Sequence, residues 1–536
     1  MKSQILKVLA FILCLATLAS LVACNGGQGN VTDETTENVT NTDETTVGDE
    51  TTAGDETTDE ESETEFTPPE LTVEEADGVA TVTTATGLSY KASGYDSING
   101  ASFVFRTKLE ISFAEDTFTE KFNRMTMQYR ANGPVRIYVT YANYIGEDVV
   151  ADFFVEEGEG SFSGLILDYL TKKSATKITK IAVEPCKEKK VSFTLYGLET
   201  EKIDYYIGSY GSTKFYISNE RFKLGVDMGW GGAICYLEDF NCNVSGLQNL
   251  VNKADEGRLI QQSYYGTNGS NDPKYTPHYW KSREDLPYAL WSYNPVQGGD
   301  ANNNKSRIID FETGSDYIYI KAQPLDWANH VLNANGTYTQ TDSRFTFCYI
   351  ENRYTLKGDY IQVDNRMVDF SGYTHPYTTQ ELPAFYTLAY FDDYYWYNGT
   401  KPWTNDTAGL KCENNLPFWG DPAKFIDTTF NYQLSNTETW GAFINQNTKY
   451  GIGMYVPNID VIKGGRLDGS ESSMSASATD GHTSYFAPLK TLKIVCYEPI
   501  VRLSGGVPVV VNLKAENEFR LTAEELRAEY KVPVYA

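Results

Sequence analysis

Two carboxylic acids in the C-terminal half of the 536-residue sequence have neighbours that suit acid–base chemistry. Asp300 follows two glycines, which allow a backbone to approach a ligand closely. Glu381 lies between a polar turn and the apolar run 382–386, where partial loss of solvent would raise its pKa. Hydrolysis of a glycosidic bond uses one acid with a raised pKa and one ionised carboxylate. We therefore predict that Asp300 and Glu381 are catalytic, with Asp227 and Glu256 as further candidates.

These acids also have structural alternatives. Asp300 could cap its own turn, and Glu381 could form an ion pair with an arginine such as Arg258. The Asp- and Asn-rich loop 300–304 could hold a structural Ca²⁺, although it lacks a defined ligand pattern. We expect no other cofactor.

The four histidines of the chain all lie in the same half of the sequence. His375 and His278 each stand beside a proline among aromatic residues, as expected of residues that line a cleft. We include His375 among the predicted catalytic residues and His278 among the predicted binding residues. A turn or hydrogen-bonding role is the alternative for both.

Amide side chains and aromatic rings are concentrated in the segments 227–236, 256–265, 291–300 and 375–386. Sugar hydroxyls both donate and accept hydrogen bonds, which suits amide and guanidinium groups, and aromatic rings can stack on a sugar's apolar face. In a strand, Gln262 and Tyr264 would share one face and Gln261 and Tyr265 the other, so only one pair can face a cleft. For the aromatic residues, core packing is the alternative. The predicted saccharide contacts are Arg258, Gln262, Tyr264, Trp291, Asn294, Gln297, His278 and Trp403.

The part of the chain that carries these residues, 204–536, is predicted to be one large antiparallel β-domain. Short alternating runs such as 317–320 are separated by Gly, Asn, Asp and Pro turns. No alternation of strands and helices and no glycine-rich phosphate motif is present, so a nucleotide-binding sheet is not expected. Residues 70–203 show the same pattern, for example at 135–141, and predict a separate N-terminal β-sandwich module. This module could bind carbohydrate or act only as a spacer.

The first 24 residues have the pattern of a secretion signal. Two lysines precede the apolar stretch 8–22, which is too short and poorly flanked for a stable membrane-spanning helix. The tetrapeptide Leu-Val-Ala-Cys ending at Cys24 resembles the lipobox of bacterial lipoproteins, in which the cysteine is lipidated. The resemblance implies an extracytoplasmic protein anchored to the cell membrane through lipid alone. An ordinary signal peptide with a chance cysteine is the alternative.

Residues 25–69 are predicted to be an acidic, threonine-rich disordered tether. Asp-Glu-Thr-Thr occurs four times there, and residues 31–65 contain fourteen acids and no Lys or Arg. This segment cannot bury enough apolar surface to fold, and its like charges repel. It supplies more than half of the net charge of −27, and the rest of the chain is also acidic. Nucleic acid is therefore not expected as a partner, because phosphate contacts require clustered Lys and Arg.

A family resemblance appears over residues 205–511. A Gly-Gly-Ala turn at 231–233, an Asn-Leu-Val segment at 249–251 and Arg258 on the next strand resemble the opening of galactose-mutarotase-like domains. The resemblance implies an antiparallel β-supersandwich whose concave face binds sugars. True mutarotases have a characteristic histidine pair and a separate acidic base, and the segment at His375 matches only one of these elements.

These observations together predict a surface-anchored enzyme that cleaves glycan linkages, as a glycoside hydrolase with two carboxylates. A polysaccharide lyase with a His or Tyr base and a non-catalytic glycan-binding lipoprotein remain the alternatives, followed by a structural surface protein. Each depends on distant segments meeting on the hollow side of one β-structure, where a polysaccharide or oligosaccharide would bind.

Overall fold

The computed structural model of the chain describes residues 68–118, 120–166, 174–187, 189–203, 213–254, 257, 260–265, 293–300, 303–327, 330–332, 338–340, 345–371, 375, 377–418, 425–429, 438–457, 459–467, 483–493, 503–504 and 507–509. Throughout these ranges the regular structure is antiparallel strand, apart from 3-10 turns such as Met228–Trp230 and Thr407–Gly409. The prediction of an all-β fold is confirmed. No helix in this part of the chain is long and apolar enough to cross a membrane. Cys24 and nearly all of the predicted tether lie outside the described residues.

The N-terminal region forms a two-sheet sandwich. Its strands are β1 Leu71–Ala76, β2 Val79–Thr84, β3 Ser89–Ser93, β4 Ser97–Asn99, β5 Ser102–Phe105, β6 Leu109–Phe113, β7 Arg124–Ala131, β8 Val135–Ala142, β9 Asp148–Val155, β10 Gly158–Leu165, β11 Lys177–Pro185 and β12 Val191–Glu201. One sheet has the order β1-β2-β3-β6-β11-β8-β9 and the other β10-β7-β12-β5-β4. In β8 every second side chain is buried, as the period-two pattern of the sequence predicts.

The large region follows. Its strands are β13 Lys214–Ser218, β14 Phe222–Asp227, β15 Ala233–Asp239, β16 Ile260–Ser263, β17 Pro295–Val296, β18 Arg307–Thr313, β19 Tyr317–Gln323, β20 Leu325–Asp326, β21 His330–Leu332, β22 Tyr338–Gln340, β23 Cys348–Leu356, β24 Ile361–Asp369, β25 Tyr377–Leu388, β26 Asp393–Tyr397, β27 Leu410–Glu413, β28 Ile426–Thr429, β29 Trp440–Ile444, β30 Gly451–Tyr455, β31 Val461–Leu467, β32 Thr483–Lys493, β33 Leu503–Ser504 and β34 Val507–Val509.

Three sheets of this region matter for the site. The central sheet has the order β20-β17-β16-β25-β32-β31-β28, the second sheet β18-β19-β23-β24-β33, and the third sheet β27-β26-β29-β30-β34. Strands β13, β14 and β15 form a smaller sheet, and β21 pairs with β22.

The two faces of the central sheet have different surroundings. On the core face, Phe385 stacks on Phe486 at 4.7 Å, and Phe486 lies 5.8 Å from Phe443 of the third sheet. These rings belong to the main apolar core of the large region. On the opposite face, which we call the outer face, Tyr485 and Leu489 belong to a smaller apolar cluster around Phe425. The alternation of side chains along β32 produces this division.

The sandwich and the large region share an interface. Phe154 of β9 stacks on Phe370 at 5.2 Å, and its backbone N–H donates to the hydroxyl of Tyr349 at 2.6 Å. Nearby, the guanidinium of Arg307 binds both the backbone carbonyl and the carboxylate of Asp152. Tyr349 and Phe370 are buried in the same apolar cluster as the core of the sandwich, so the two regions are packed together.

Candidate functional site

Glu381 is a predicted catalytic residue that lies between two tyrosine hydroxyls. It lies on β25, between β16 and β32, and is 6% exposed. Its Oε2 accepts a hydrogen bond from the Tyr265 hydroxyl at 2.8 Å, and its Oε1 accepts one from the Tyr485 hydroxyl at 2.9 Å. Burial raises the pKa of Glu381, while the two hydroxyls and the charge of Lys463 oppose that rise. The net result is a buried carboxyl group that keeps its proton to a higher pH than an exposed glutamate does.

These side chains belong to a polar row across the outer face of the central sheet. The row begins at Tyr265, just after β16, and continues through Glu381, Tyr485 and Lys463 to Asp427. Lys463 is buried, and its ammonium lies 2.8 Å from the carboxylate of Asp427, whose side chain is 49% exposed at the sheet edge. Strand register places Asp427 directly opposite Lys463. The row therefore holds two carboxyl groups in contrasting environments, one buried and one accessible.

His375 lies in a separate cluster on the core side of the central sheet. Its ring stacks on Tyr293 at 4.4 Å, and its Nε2 lies 3.3 Å from the hydroxyl of Ser371 and 3.7 Å from the Asp369 carboxylate. The Tyr293 hydroxyl donates to the same carboxylate at 2.7 Å. Leu382, the neighbour of Glu381, packs against Tyr293. Because adjacent residues of a strand point to opposite faces, the structure separates His375 from Glu381.

Tyr264 packs into that same core-side apolar cluster, whereas Tyr265 points to the outer face and meets Glu381. Tyr264 and Tyr265 therefore point to opposite faces as predicted, and the orientation of Tyr265 favours the pair that contains it. A register irregularity between Gln261 and Ser263 interrupts the alternation at Gln262. Gln261, the other member of that pair, accepts a hydrogen bond from the backbone N–H of Gly298 at 3.0 Å.

Asp300 caps its own turn. Its carboxylate accepts hydrogen bonds from the backbone N–H of Asn304 at 3.0 Å and from the Asn304 amide at 2.8 Å, and the side chain is fully buried. Gly299, with a φ of 114°, permits this turn, since a Cβ there would lie 2.1 Å from the Asn304 carbonyl oxygen. Asp227, a further candidate, likewise caps a 3-10 turn by accepting from Gly229 N–H. For Asp300 this is the structural alternative given above.

The predicted amide contacts lie inside the protein. The Gln297 amide donates to the carbonyl of Gly231 at 3.0 Å, and its oxygen accepts from the backbone N–H of Gln262 at 3.2 Å. Gln262 lines an interior cavity of about 10 Å³, and among the described residues its Oε1 has no hydrogen-bond partner. A cavity of this size holds one water. Asn294 is buried, and its backbone N–H donates to Asp326. These residues organise the interior of the large region.

Trp403 lies next to the third sheet of the large region. Its backbone N–H donates to the Glu438 carboxylate at 2.6 Å, and its ring meets Tyr455 edge to face at 5.6 Å. The other predicted contacts, Arg258, Trp291 and His278, and the further candidate Glu256 lie outside the described residues.

Sequence reasoning did not single out Tyr485, Lys463 or Asp427. Each lies on a strand whose position in the central sheet is set by pairing with distant segments. Alternation along β31 and β32 would have placed Lys463 and Tyr485 on one face only if the register of both strands had been known.

No protein-family model matches the chain, and no characterised protein matches it significantly. Among solved structures, it is similar to a putative aldose 1-epimerase from Escherichia coli K12, at 10% identity over 56% of this chain and 94% of that chain, with a TM-score of 0.28. It is also similar to a 4-alpha-glucanotransferase from Thermococcus litoralis, at 10% identity over 53% of this chain and 36% of that chain, with the same TM-score. An alpha-mannosidase from Enterococcus faecalis V583 matches at 10% identity over 77% of this chain and 42% of that chain, again at 0.28. Scores this low assign no family or activity to the chain.

Proposed function

We propose that the chain is a carbohydrate-active enzyme that hydrolyses glycan linkages with Glu381 as its general acid. The observation that carries the proposal is the Glu381 carboxyl group, buried between two tyrosine hydroxyls, with its pKa raised by desolvation. A general acid must hold its proton at the working pH and release it in the transition state, and burial meets the first requirement.

The polar row supplies the remaining parts of the reaction. Glu381 donates its proton to the glycosidic oxygen as the bond to the anomeric carbon breaks. The hydroxyls of Tyr265 and Tyr485 then stabilise the carboxylate that forms, because hydrogen bonds to a charged acceptor are stronger than those to a neutral one. Asp427 is the second carboxylate in this proposal, and it accepts the proton of the water that attacks the anomeric carbon. Asp427 replaces Asp300 in this role because Asp300 is engaged by Asn304.

A lyase is the second candidate, favoured by the two tyrosine hydroxyls that lie beside Glu381. Elimination from a uronic acid sugar needs a base to remove a proton and a group that neutralises the neighbouring carboxylate. In this alternative a tyrosine is the base, and Lys463 together with protonated Glu381 neutralises the carboxylate. The product would carry a carbon–carbon double bond.

The experiment is incubation of the purified protein with a panel of neutral and uronic acid polysaccharides. New reducing ends without ultraviolet absorbance support hydrolysis, whereas absorbing unsaturated ends support elimination. Retention on a polysaccharide without any product would contradict both and favour glycan capture.

Variants then test the residue assignment. Glu381→Gln is expected to lower kcat by about 10²–10⁴-fold, the usual contribution of general acid catalysis. Asp310→Asn is the matched control, because it changes another buried acid with a raised pKa on a different sheet. Equal activity of Glu381→Gln and wild type on a short soluble substrate would remove Glu381 from the catalytic site.

We further propose that Cys24 carries the lipid that holds the enzyme outside the cytoplasmic membrane. Replacement of Cys24 by Ala is expected to shift the full-length protein from the membrane fraction to the soluble exported fraction. A Cys24→Ala protein that remains with the membranes would contradict this proposal.

A further inference from the structure

Three aromatic rings lie together on the outward side of the third sheet. Trp440 of β29 and Tyr455 of β30 are directly opposite in the strand register, and Trp403 meets Tyr455 edge to face at 5.6 Å. All three side chains are partly exposed. The residues next to them point the other way, since Gly441 lies against Tyr394 in the main core and Met454 is buried there. We call these three rings the aromatic platform.

A single carboxylate holds two members of the platform in place. The Glu438 Oε1 accepts from the Trp403 backbone N–H at 2.6 Å, and its Oε2 accepts from the Trp440 indole N–H at 2.8 Å. Glu438 itself is 8% exposed, so water does not compete for these bonds. The platform is thus fixed before any ligand arrives, which lowers the entropy cost of binding.

The backbone at Trp403 is strained. Its φ is 59°, in the left-handed region that bulky residues rarely adopt, and Asn405 in the same turn has a φ of 60°. Such conformations cost free energy and persist where surrounding contacts enforce them, commonly at ligand-binding positions. Here the bond to Glu438 enforces a conformation that leaves the tryptophan ring at the surface rather than in the core.

Polar groups border the rings. The Asp406 carboxylate is partly exposed and accepts from the Tyr397 hydroxyl at 3.1 Å, while Thr404 and Asn405 are exposed beside it. Flat rings next to hydroxyl, amide and carboxylate acceptors match the alternating apolar faces and hydroxyl edges of a sugar chain. The nearby acids Glu438 and Asp406 oppose a uronic acid polymer, so the matching ligand is a neutral glycan.

We propose that Trp403, Trp440 and Tyr455 form a second glycan-binding surface, which takes a neutral polysaccharide chain and does not cleave it. The surface is separate from the polar row. The central and third sheets meet through Phe486 and Phe443 on their core faces, so Glu381 and the platform point to opposite sides of this sandwich. Binding at the platform is therefore independent of whether Glu381 cleaves anything.

The test is affinity electrophoresis of the full protein in gels containing dextran, mannan, xylan, a mixed-linkage β-glucan or polygalacturonate. We expect retardation by at least one neutral polymer and none by polygalacturonate. Trp403→Asn keeps a residue that tolerates the left-handed backbone but removes the ring, and it should weaken binding at least tenfold. Tyr455→Ala should have a similar effect. Trp396→Phe is the matched control, because Trp396 stacks on Tyr394 on the core side of the same sheet, and it should bind as wild type does.

The result with Glu381→Gln separates this site from the proposed catalytic one, since that variant should be retarded as strongly as wild type. Wild-type affinity in folded Trp403→Asn and Tyr455→Ala, with folding checked by circular dichroism, would overturn the proposal. Loss of binding in Glu381→Gln, or no retardation of the wild type by any neutral polymer, would overturn it as well.

Discussion

The hydroxyl of Tyr485 offers a direct test of the electrostatics at Glu381. Tyr485→Phe removes this donor but leaves the ring, which packs 4.7 Å from Tyr386 and 5.6 Å from Phe425. Tyr485 is fully buried, so water does not replace the lost bond. A hydrogen bond to a charged group contributes about 1.5–3 kcal/mol to stability, and one between neutral groups about 0.5–1.5 kcal/mol. The cost of the substitution should therefore depend on whether Glu381 is ionised.

The direction of the pH dependence follows from the raised pKa of Glu381. The folded protein holds the proton more tightly than the unfolded chain, whose glutamates titrate near 4.5. The contribution of Glu381 to the free energy of unfolding is thus fully present below about pH 4.5, and it is lost as the pH rises through the pKa of the folded state. Removal of the Tyr485 hydroxyl, which favours the ionised form, raises the pKa of Glu381 further. In Tyr485→Phe the loss of stability should therefore extend to higher pH than in the wild type.

The assay is urea unfolding between pH 4.5 and 8 for wild type, Tyr485→Phe, Glu381→Gln and the double variant. Tyr485→Phe should cost about 0.5–1.5 kcal/mol at the acid end and about 1.5–3 kcal/mol once Glu381 is ionised. In the Glu381→Gln background the same substitution should cost the same at every pH. A cost of Tyr485→Phe that falls as the pH rises in the wild-type background would refute the reasoning, as would a wild type that gains stability over Glu381→Gln as the pH rises.

Three further predictions concern packing and the loop at Asp300. Gly231→Ala should destabilise the protein by more than Gly246→Ala in urea unfolding, because both have positive φ but only the Cβ at Gly231 would meet a backbone carbonyl, at 2.0 Å; equal costs, each about 1–2 kcal/mol, would contradict this. Arg307→Met should lower the melting temperature, since the guanidinium that binds Asp152 bridges the two β regions, and an unchanged melting temperature would show that this contact is dispensable. Because hydrogen bonds from Asn304 already occupy the carboxylate of Asp300, chelation with EDTA should leave the melting temperature unchanged, and a clear drop would support a structural Ca²⁺.

The local pattern of the sequence was enough to predict some of the strands. Period-two alternation at 135–141 corresponds to β8, and the run at 317–320 lies within β19. Alternation succeeds here because each strand has one face in a core, a property of the strand alone. It also predicted that Tyr264 and Tyr265 point to opposite faces.

The sequence predicted the surroundings of a site residue only where its neighbours along the chain bury it. The apolar run after Glu381 correctly indicated a desolvated carboxyl group. Its partners were not predictable, because Tyr485 and Lys463 are brought to Glu381 by strand register, which includes an irregularity between Gln261 and Ser263. The two glycines before Asp300 were interpreted as allowing the backbone to approach a ligand closely, but Gly299 instead permits the turn that Asp300 caps. A glycine allows close approach either by a ligand or by a nearby segment of the same chain. Tertiary contacts decide which of the two occurs.

The packing of Phe154 against Tyr349 and Phe370 affects how the protein unfolds. An interface built from buried rings couples the unfolding of the parts it joins, so the sandwich and the large region should melt in one cooperative calorimetric transition. A truncation near residue 203 would leave aromatic surface bare on both fragments, and each would tend to aggregate. The N-terminal sandwich is therefore a fixed part of the body of the protein rather than a portable attachment.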